Sequence, residues 1–216
     1  MSAFSTIVRF FQEGGLFMYP IVIVLALGLS IAVERWLYLT MTTASNKSLW
    51  NKVAPYLKSG NLSGAMQVTS KSKAAVGQIM TYGLNRVRSA RRREDVEQAM
   101  EESLMEVMPK LEKRTHYLAT FANIATLLGL LGTIIGLINA FTAVSNANPA
   151  EKADLLSASI SVAMNTTAFG LIVAIPLLLV HTLLQTKTTE IIDSLEMASV
   201  KFLNSITEAS ASKQAG

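Results

Sequence analysis

The sequence predicts an all-α integral membrane protein with three transmembrane helices and long cytoplasmic helical extensions. Three observations carry that expectation. Two apolar runs, 118–144 and 155–185, contain no Asp, Glu, Lys or Arg. Each exceeds the roughly 20 helical residues that cross a hydrocarbon core of about 30 Å. A third run, 16–39, stays apolar until Glu34-Arg35, and the hydrophilic stretch 40–117 separates it from the other two. The charged share of 16% is low against the roughly 25% usual for a soluble domain.

Residues 1–15 open the chain. Phe4, Ile7, Val8 and Phe11 recur at helical spacing with Arg9 and Gln12 between them, the pattern of an amphipathic helix lying at the periplasmic membrane surface. Gly14-Gly15 ends it. The first span, 16–39, reads as retained. No basic n-region precedes it, and no small-x-small cleavage site follows. Pro20 sits near its start, where a missing N–H costs little. Glu34-Arg35 then precede Trp36 and Tyr38, an interfacial combination. Arg35 is expected to snorkel to headgroups. Glu34 reads as an interfacial carboxylate paired with Arg35 or a neighbouring helix, or alternatively as a proton relay at the pore exit.

Residues 40–117 form a cytoplasmic helical domain, because most Lys and Arg lie between Arg35 and Arg114. Short helices are expected at 45–57 and 62–70, with Gly60-Asn61 as turn and cap. Two more are expected at 71–89 and 94–111, the latter with acids in its first turn. It is expected to run into the second span, with Pro109 the one interruption. The arginines of 86–93 read as a solvated face near anionic headgroups rather than a nucleic-acid site. A periplasmic loop, 145–154, joins spans two and three. The third span continues through 186–208 as a cytoplasmic helix, and 210–216 is expected to be a disordered tail. Basic residues near the membrane ends place the N-terminus in the periplasm and the C-terminus in the cytoplasm.

The second and third spans carry the chemistry. At 100° per residue, Asn123, Thr126 and Thr133 share one face of the second, while Gly129, Gly132 and Gly136 share the neighbouring face. Glycines admit a close helix partner. Lipid offers no partner to the polar face. In the third span Ser159, Thr166 and Gly170 lie in a small-and-polar stripe with Ala163 and Ala174, and Thr167 lies at its edge. Asn165 adds a further polar group. Two such stripes per chain suggest a ring of identical chains around a hydroxyl-lined lumen. The plainer alternative is that hydroxyls bond back to their own helices and only pack them.

These stretches also carry a resemblance. Leu127-Leu128-Gly129-Leu130-Leu131-Gly132-Thr133-Ile134-Ile135-Gly136, followed by Ala140-Phe141, is similar to the second-helix signature of the MotA/TolQ/ExbB proton-channel family. Asn165-Thr166-Thr167-Ala168-Phe169-Gly170-Leu171-Ile172-Val173-Ala174-Ile175-Pro176 resembles its third-helix signature, and Glu34-Arg35 is familiar in ExbB-like members. The resemblance implies a pentamer around the transmembrane helices of an ExbD-, TolR- or MotB-like partner, whose intramembrane Asp takes up the ion. It implies that Thr133 and Thr167 face the lumen. It also implies an inner-membrane, ion-motive-force-driven motor of the TonB or Tol type, closer to ExbB and TolQ than to MotA. One departure concerns Val162: many ExbB and TolQ sequences have a Glu there. Proton and sodium coupling both stay open, and His181 near the cytoplasmic end reads as an interfacial side chain, or alternatively as a relay.

Cofactors and metals are not expected. There is no cysteine, and no metal-ligand spacing, phosphate loop or Ser-His-Asp grouping appears, so an enzyme is not expected either. The rival readings are a flagellar or gliding stator of the same superfamily, and a membrane scaffold without an ion path.

Overall fold

A computed structural model of the chain describes residues 10, 14–87, 89–90, 92–146 and 148–214, with side-chain burial given for these except 146 and 208–214. The described elements are all helices: α1 Met18–Lys58, α2 Leu62–Ser70, α3 Ala75–Val87, α4 Arg93–Glu112, α5 Thr115–Asn146 and α6 Lys152–Gln214. Three stretches, in α1, α5 and α6, are long and apolar enough to cross a membrane. Only 28%, 22% and 28% of their apolar windows are buried within the chain. The rest is far more apolar surface than a soluble monomer exposes, so lipid or other chains cover it. The amphipathic helix expected at 2–12 falls outside the described residues apart from Phe10, whose ring meets Phe169 edge-on at 6.4 Å.

The chain divides into two compact units, Met1–Glu34 with Arg114–Leu183, and Arg35–Lys113 with Leu184–Gly216. The first holds the charge-free runs. Its entry turn is set by Gly15 at φ 75, a left-handed conformation that glycine adopts without a Cβ penalty. Met18 N–H then donates to the Gly15 carbonyl at 3.3 Å, and Pro20 takes the third helical position, where no intrahelical donor is needed. The interior is built largely from small side chains: Ala122, Ala125, Ala140, Ala163 and Ala174 are buried beside Met18, Ile21, Leu118 and Leu177.

The second unit is built from larger ones. Leu39, Ile79, Met80, Met100, Leu111, Leu184, Leu195 and Phe202 are all fully buried. Helix α3 packs on both α2 and α4. The helix ends are closed by local chemistry. After α1, Gly60 sits at φ 70; Gly60 N–H donates to the Leu57 carbonyl and Asn61 N–H to that of Tyr56. This double bond satisfies carbonyls that the helix end would orphan. Asn61 Oδ1 accepts from Gly64 N–H at 2.9 Å and starts α2. At α4, Arg92 N–H donates to Asp95 Oδ2 at 3.2 Å, and Glu94 and Asp95 in the first turn suit the positive end of the helix dipole.

Five boundaries differ from expectation. The helix expected from 71 begins only at Ala75. Helix α1 does not stop at 39 and restart at 45; it runs unbroken to Lys58. Thr40, Thr42 and Thr43 donate to the carbonyls of Trp36, Tyr38 and Leu39, so those hydroxyls are satisfied without breaking the helix. Pro109 does not interrupt the approach to the second span: it lies inside α4. The break comes at Lys113–Arg114, where Arg114 takes φ 67. A left-handed Arg costs on the order of 1–3 kcal/mol, and no Gly marks the place. The connection between spans two and three is shorter than 145–154, since α5 ends at Asn146 and α6 begins at Lys152. Finally, α6 reaches Gln214 rather than fraying at 210, in a segment with no Gly or Pro before Gly216 to stop it.

Candidate functional site

The site candidates of the first unit lie on α5 and α6, which meet at glycines. A Cβ added at Gly170 would lie 2.7 Å from the Ala125 carbonyl oxygen and 3.1 Å from Gly129 Cα. One added at Gly129 would meet Thr167 Cα at 3.2 Å. These neighbours are backbone and cannot swing away, so both positions require glycine. Further along, a Cβ at Gly136 would press on that of Ala163 at 2.7 Å, and one at Gly132 would run into Thr166 Cγ2.

Two threonines lock this seam. Thr167 Oγ1 donates to the Gly129 carbonyl at 2.7 Å, from helix to helix. Thr166 is 2% exposed. Its Oγ1 lies 2.5 Å from the Gly14 carbonyl and 3.0 Å from that of Val162. A hydroxyl has one proton, so the two carbonyls share it. Val162 lies beside the same turn, with its Cγ1 3.2 Å from where a Cβ on Gly15 would sit. Val162, where the resemblance led to the expectation of a Glu, is therefore packed against the chain's own entry turn.

Thr126 and Thr133 bond to their own helix. Thr126 Oγ1 donates to the Ala122 carbonyl at 3.1 Å and Thr133 Oγ1 to that of Leu130 at 2.6 Å. Asn123 and Thr126 are exposed within the chain, while Thr133, Ser159, Asn165 and Thr167 are half-buried. The structure thus gathers Gly129, Gly132, Gly136, Gly170, Thr166 and Thr167 at one seam and leaves Asn123 and Thr126 outside it, exposed among the described residues. Periodicity alone did not reveal that Thr166 has the Gly14 carbonyl as a partner.

The group Glu34, Arg35 and His181 divides. Glu34 pairs with Arg114 at 3.7 Å, each about half-exposed, and Arg114 lies in the turn between α4 and α5. Arg35 does not snorkel. It is 2% exposed, and its guanidinium donates to the Leu111 carbonyl and lies 4.7 Å from the Tyr38 ring centroid. Leu111 is in the last turn of α4, whose carbonyls lack intrahelical donors, and a buried cation there satisfies one of them. His181 is half-buried. Among the described residues no group of three or more His, Asp or Glu is placed to hold a metal.

Comparison with known proteins agrees with this architecture. The profile of the MotA/TolQ/ExbB proton channel family matches residues 71–197, more than half of the chain. A putative biopolymer transport protein ExbB homolog of Methanothermobacter thermautotrophicus is 30% identical over 196 residues, 90% of this chain and 68% of that protein. The Tol-Pal system protein TolQ of Haemophilus influenzae is 33% identical over 93 residues, 43% of this chain and 40% of its own length. The biopolymer transport protein ExbB of Aquifex aeolicus is 33% identical over 81 residues, 38% of this chain and 54% of that protein. With three membrane-spanning stretches, a glycine seam between the second and third, and similarity over most of its length, the chain belongs to the MotA/TolQ/ExbB proton channel family.

Proposed function

We propose that this chain is the ring-forming subunit of an inner-membrane motor driven by ion-motive force. Five copies surround an ExbD- or TolR-like single-span partner, and the complex energises TonB-dependent outer-membrane transport or Tol-type envelope work. The N-terminus lies in the periplasm and the C-terminus in the cytoplasm, as the basic flanks favour.

One observation carries the reading. Asn123 and Thr126 are exposed within a charge-free span, on a different face from the glycines that α6 already occupies. Turned to acyl chains, the Asn123 amide finds no partner, and the Thr126 hydroxyl has only the Ala122 carbonyl of its own helix. Turned to a lumen, they meet water, the ion or the partner's helix.

The mechanism is mechanical. An ionised Asp at the centre of a membrane helix costs about 2.5–3.5 kcal/mol even on the lenient insertion scale, so it prefers Asn123, Thr126, Thr133 and Thr167. Ion uptake neutralises it, and a neutral Asp tolerates Leu130 and Leu137. Alternation between the two states steps the inner helices against the ring. Val162 leaves α6 without a carboxylate at that level, so hydroxyls, not an acid relay within this chain, conduct the ion to the partner.

The test is ion flux in vesicles holding this chain together with a single-span, Asp-bearing partner, run separately with a proton and a sodium gradient. Flux that needs both chains and the partner's Asp supports the reading. Flux and envelope work unchanged in a Thr133→Val, Thr167→Val double variant would overturn it.

A further inference from the structure

We infer that an apolar groove beside Trp50 in the second unit receives Met105 of a second copy of this chain. The inference rests on the ring reading above and specifies which surfaces build the ring. The groove, of about 320 Å³, lies between α1 and α6 and is lined by Asn46, Lys47, Trp50, Leu195, Met197 and Lys201. Its rim is basic. Lys201 Nζ lies 5.9 Å from the Trp50 ring centroid, and neither Lys47 nor Lys201 has a carboxylate partner among the described residues. Asn46 is 7% exposed, and its Oδ1 accepts from Val76 N–H at 3.2 Å, which fixes that wall of the groove.

Helix α4 presents the complement. Met105 is 68% exposed, an unbranched apolar side chain with Met108 and Pro109 one turn after it on the same face. Glu101 and Glu102 lie one turn before it, at the i−4 and i−3 positions that share its surface. Both are exposed and lack a basic partner among the described residues. An apolar knob flanked by carboxylates fits an apolar groove flanked by lysines. The thioether meets the Trp50 ring, a contact that sulfur favours, and Glu101 and Glu102 come beside Lys47 and Lys201 at the rim.

Knob and groove are different surfaces, so the contact is head-to-tail. Such contacts close into rings or run on as filaments. Three spans hold every copy at one depth in the bilayer, which removes the rise a filament needs and favours closure.

The chain has no cysteine, so engineered pairs report without background. Met105→Cys and Met197→Cys are made in separately tagged full-length chains, expressed alone or together with the single-span partner, and oxidised in native membranes. A mixed dimer only when the two variants are co-expressed, and a ladder when both changes share one chain, is the expected result. Dimers from Met105→Cys alone would place the helix against itself and overturn the inference. So would absence of the mixed dimer while the intact mass of the extracted complex still shows several copies, an outcome that leaves the ring standing. A single-copy mass would remove the ring reading and the inference together. In the cross-linking pair, Glu101→Lys with Glu102→Lys should cut the yield about tenfold through like charge at the rim, and Lys47→Glu with Lys201→Glu should restore it. Failure to restore would also count against the contact.

Discussion

The two units bury comparable lengths of helix by opposite means. In the membrane unit the interior is mainly alanine and glycine, and the bonds that join separate segments run from a threonine hydroxyl to a backbone carbonyl: Thr167 to Gly129, Thr166 to Gly14. In the other unit the interior is Phe202, Met80, Met100, Leu39 and Leu195, and polar groups serve mainly to close helix ends. Lipid is as apolar as leucine, so burying large side chains gains little between spans, and close backbone approach with shared hydrogen bonds takes over. Water restores the area term, roughly 25 cal/mol per Å² of apolar surface, outside the bilayer.

That contrast can be broken in a graded series. Phe202→Ala should have the largest effect, about 3–5 kcal/mol, because Phe202 is fully buried and its ring lies against Gly83. Thermal unfolding should show early loss of the extramembrane helices, while ion flux per assembled complex at low temperature is retained. Loss of flux at unchanged stability would show that the units do not separate in this way. Gly170→Ala comes next, at about 1–3 kcal/mol, since the added Cβ meets the Ala125 carbonyl and Gly129 backbone. Gly77→Ala should cost less, because the one atom under 3.0 Å from the added Cβ, Leu49 Cδ2, is the far end of a side chain that can turn, and alanine favours the helix. Denaturation of both in the same detergent checks the order, and a reversal would undo the comparison.

Smaller effects sharpen it. Thr167→Val keeps the shape and removes the bond to Gly129, and should cost about 0.6 kcal/mol, not above about 1.7, as measured by reversible unfolding in mixed micelles. Glu34→Gln should change stability by less than about 1 kcal/mol, since its pair with Arg114 is half-exposed; a larger loss would mean that the pair holds the left-handed turn at Arg114.

Much of this was legible in the residues. The charge-free runs marked the spans, Gly60-Asn61 marked the turn between α1 and α2, and the spacing of Gly129, Gly132 and Gly136 marked a face suited to close approach. Other features were not legible. Arg114 takes a glycine-like φ with no glycine to announce it. Arg35, beside Trp36 and Tyr38, has the sequence setting of a snorkelling residue, yet it caps α4 at Leu111, 76 positions away. Pro109 looked like a break and was absorbed.

The sequence by itself determined the class of solvent around each segment, the helical period and the small residues that permit contact, because these follow from composition and from 100° per residue. It could not determine which group each polar side chain meets. Thr166 and Thr167 are adjacent, yet one bonds a turn 152 positions back and the other a helix 38 positions back. A helical wheel fixes the direction in which a side chain leaves its own axis; only the packed chain decides what lies in that direction.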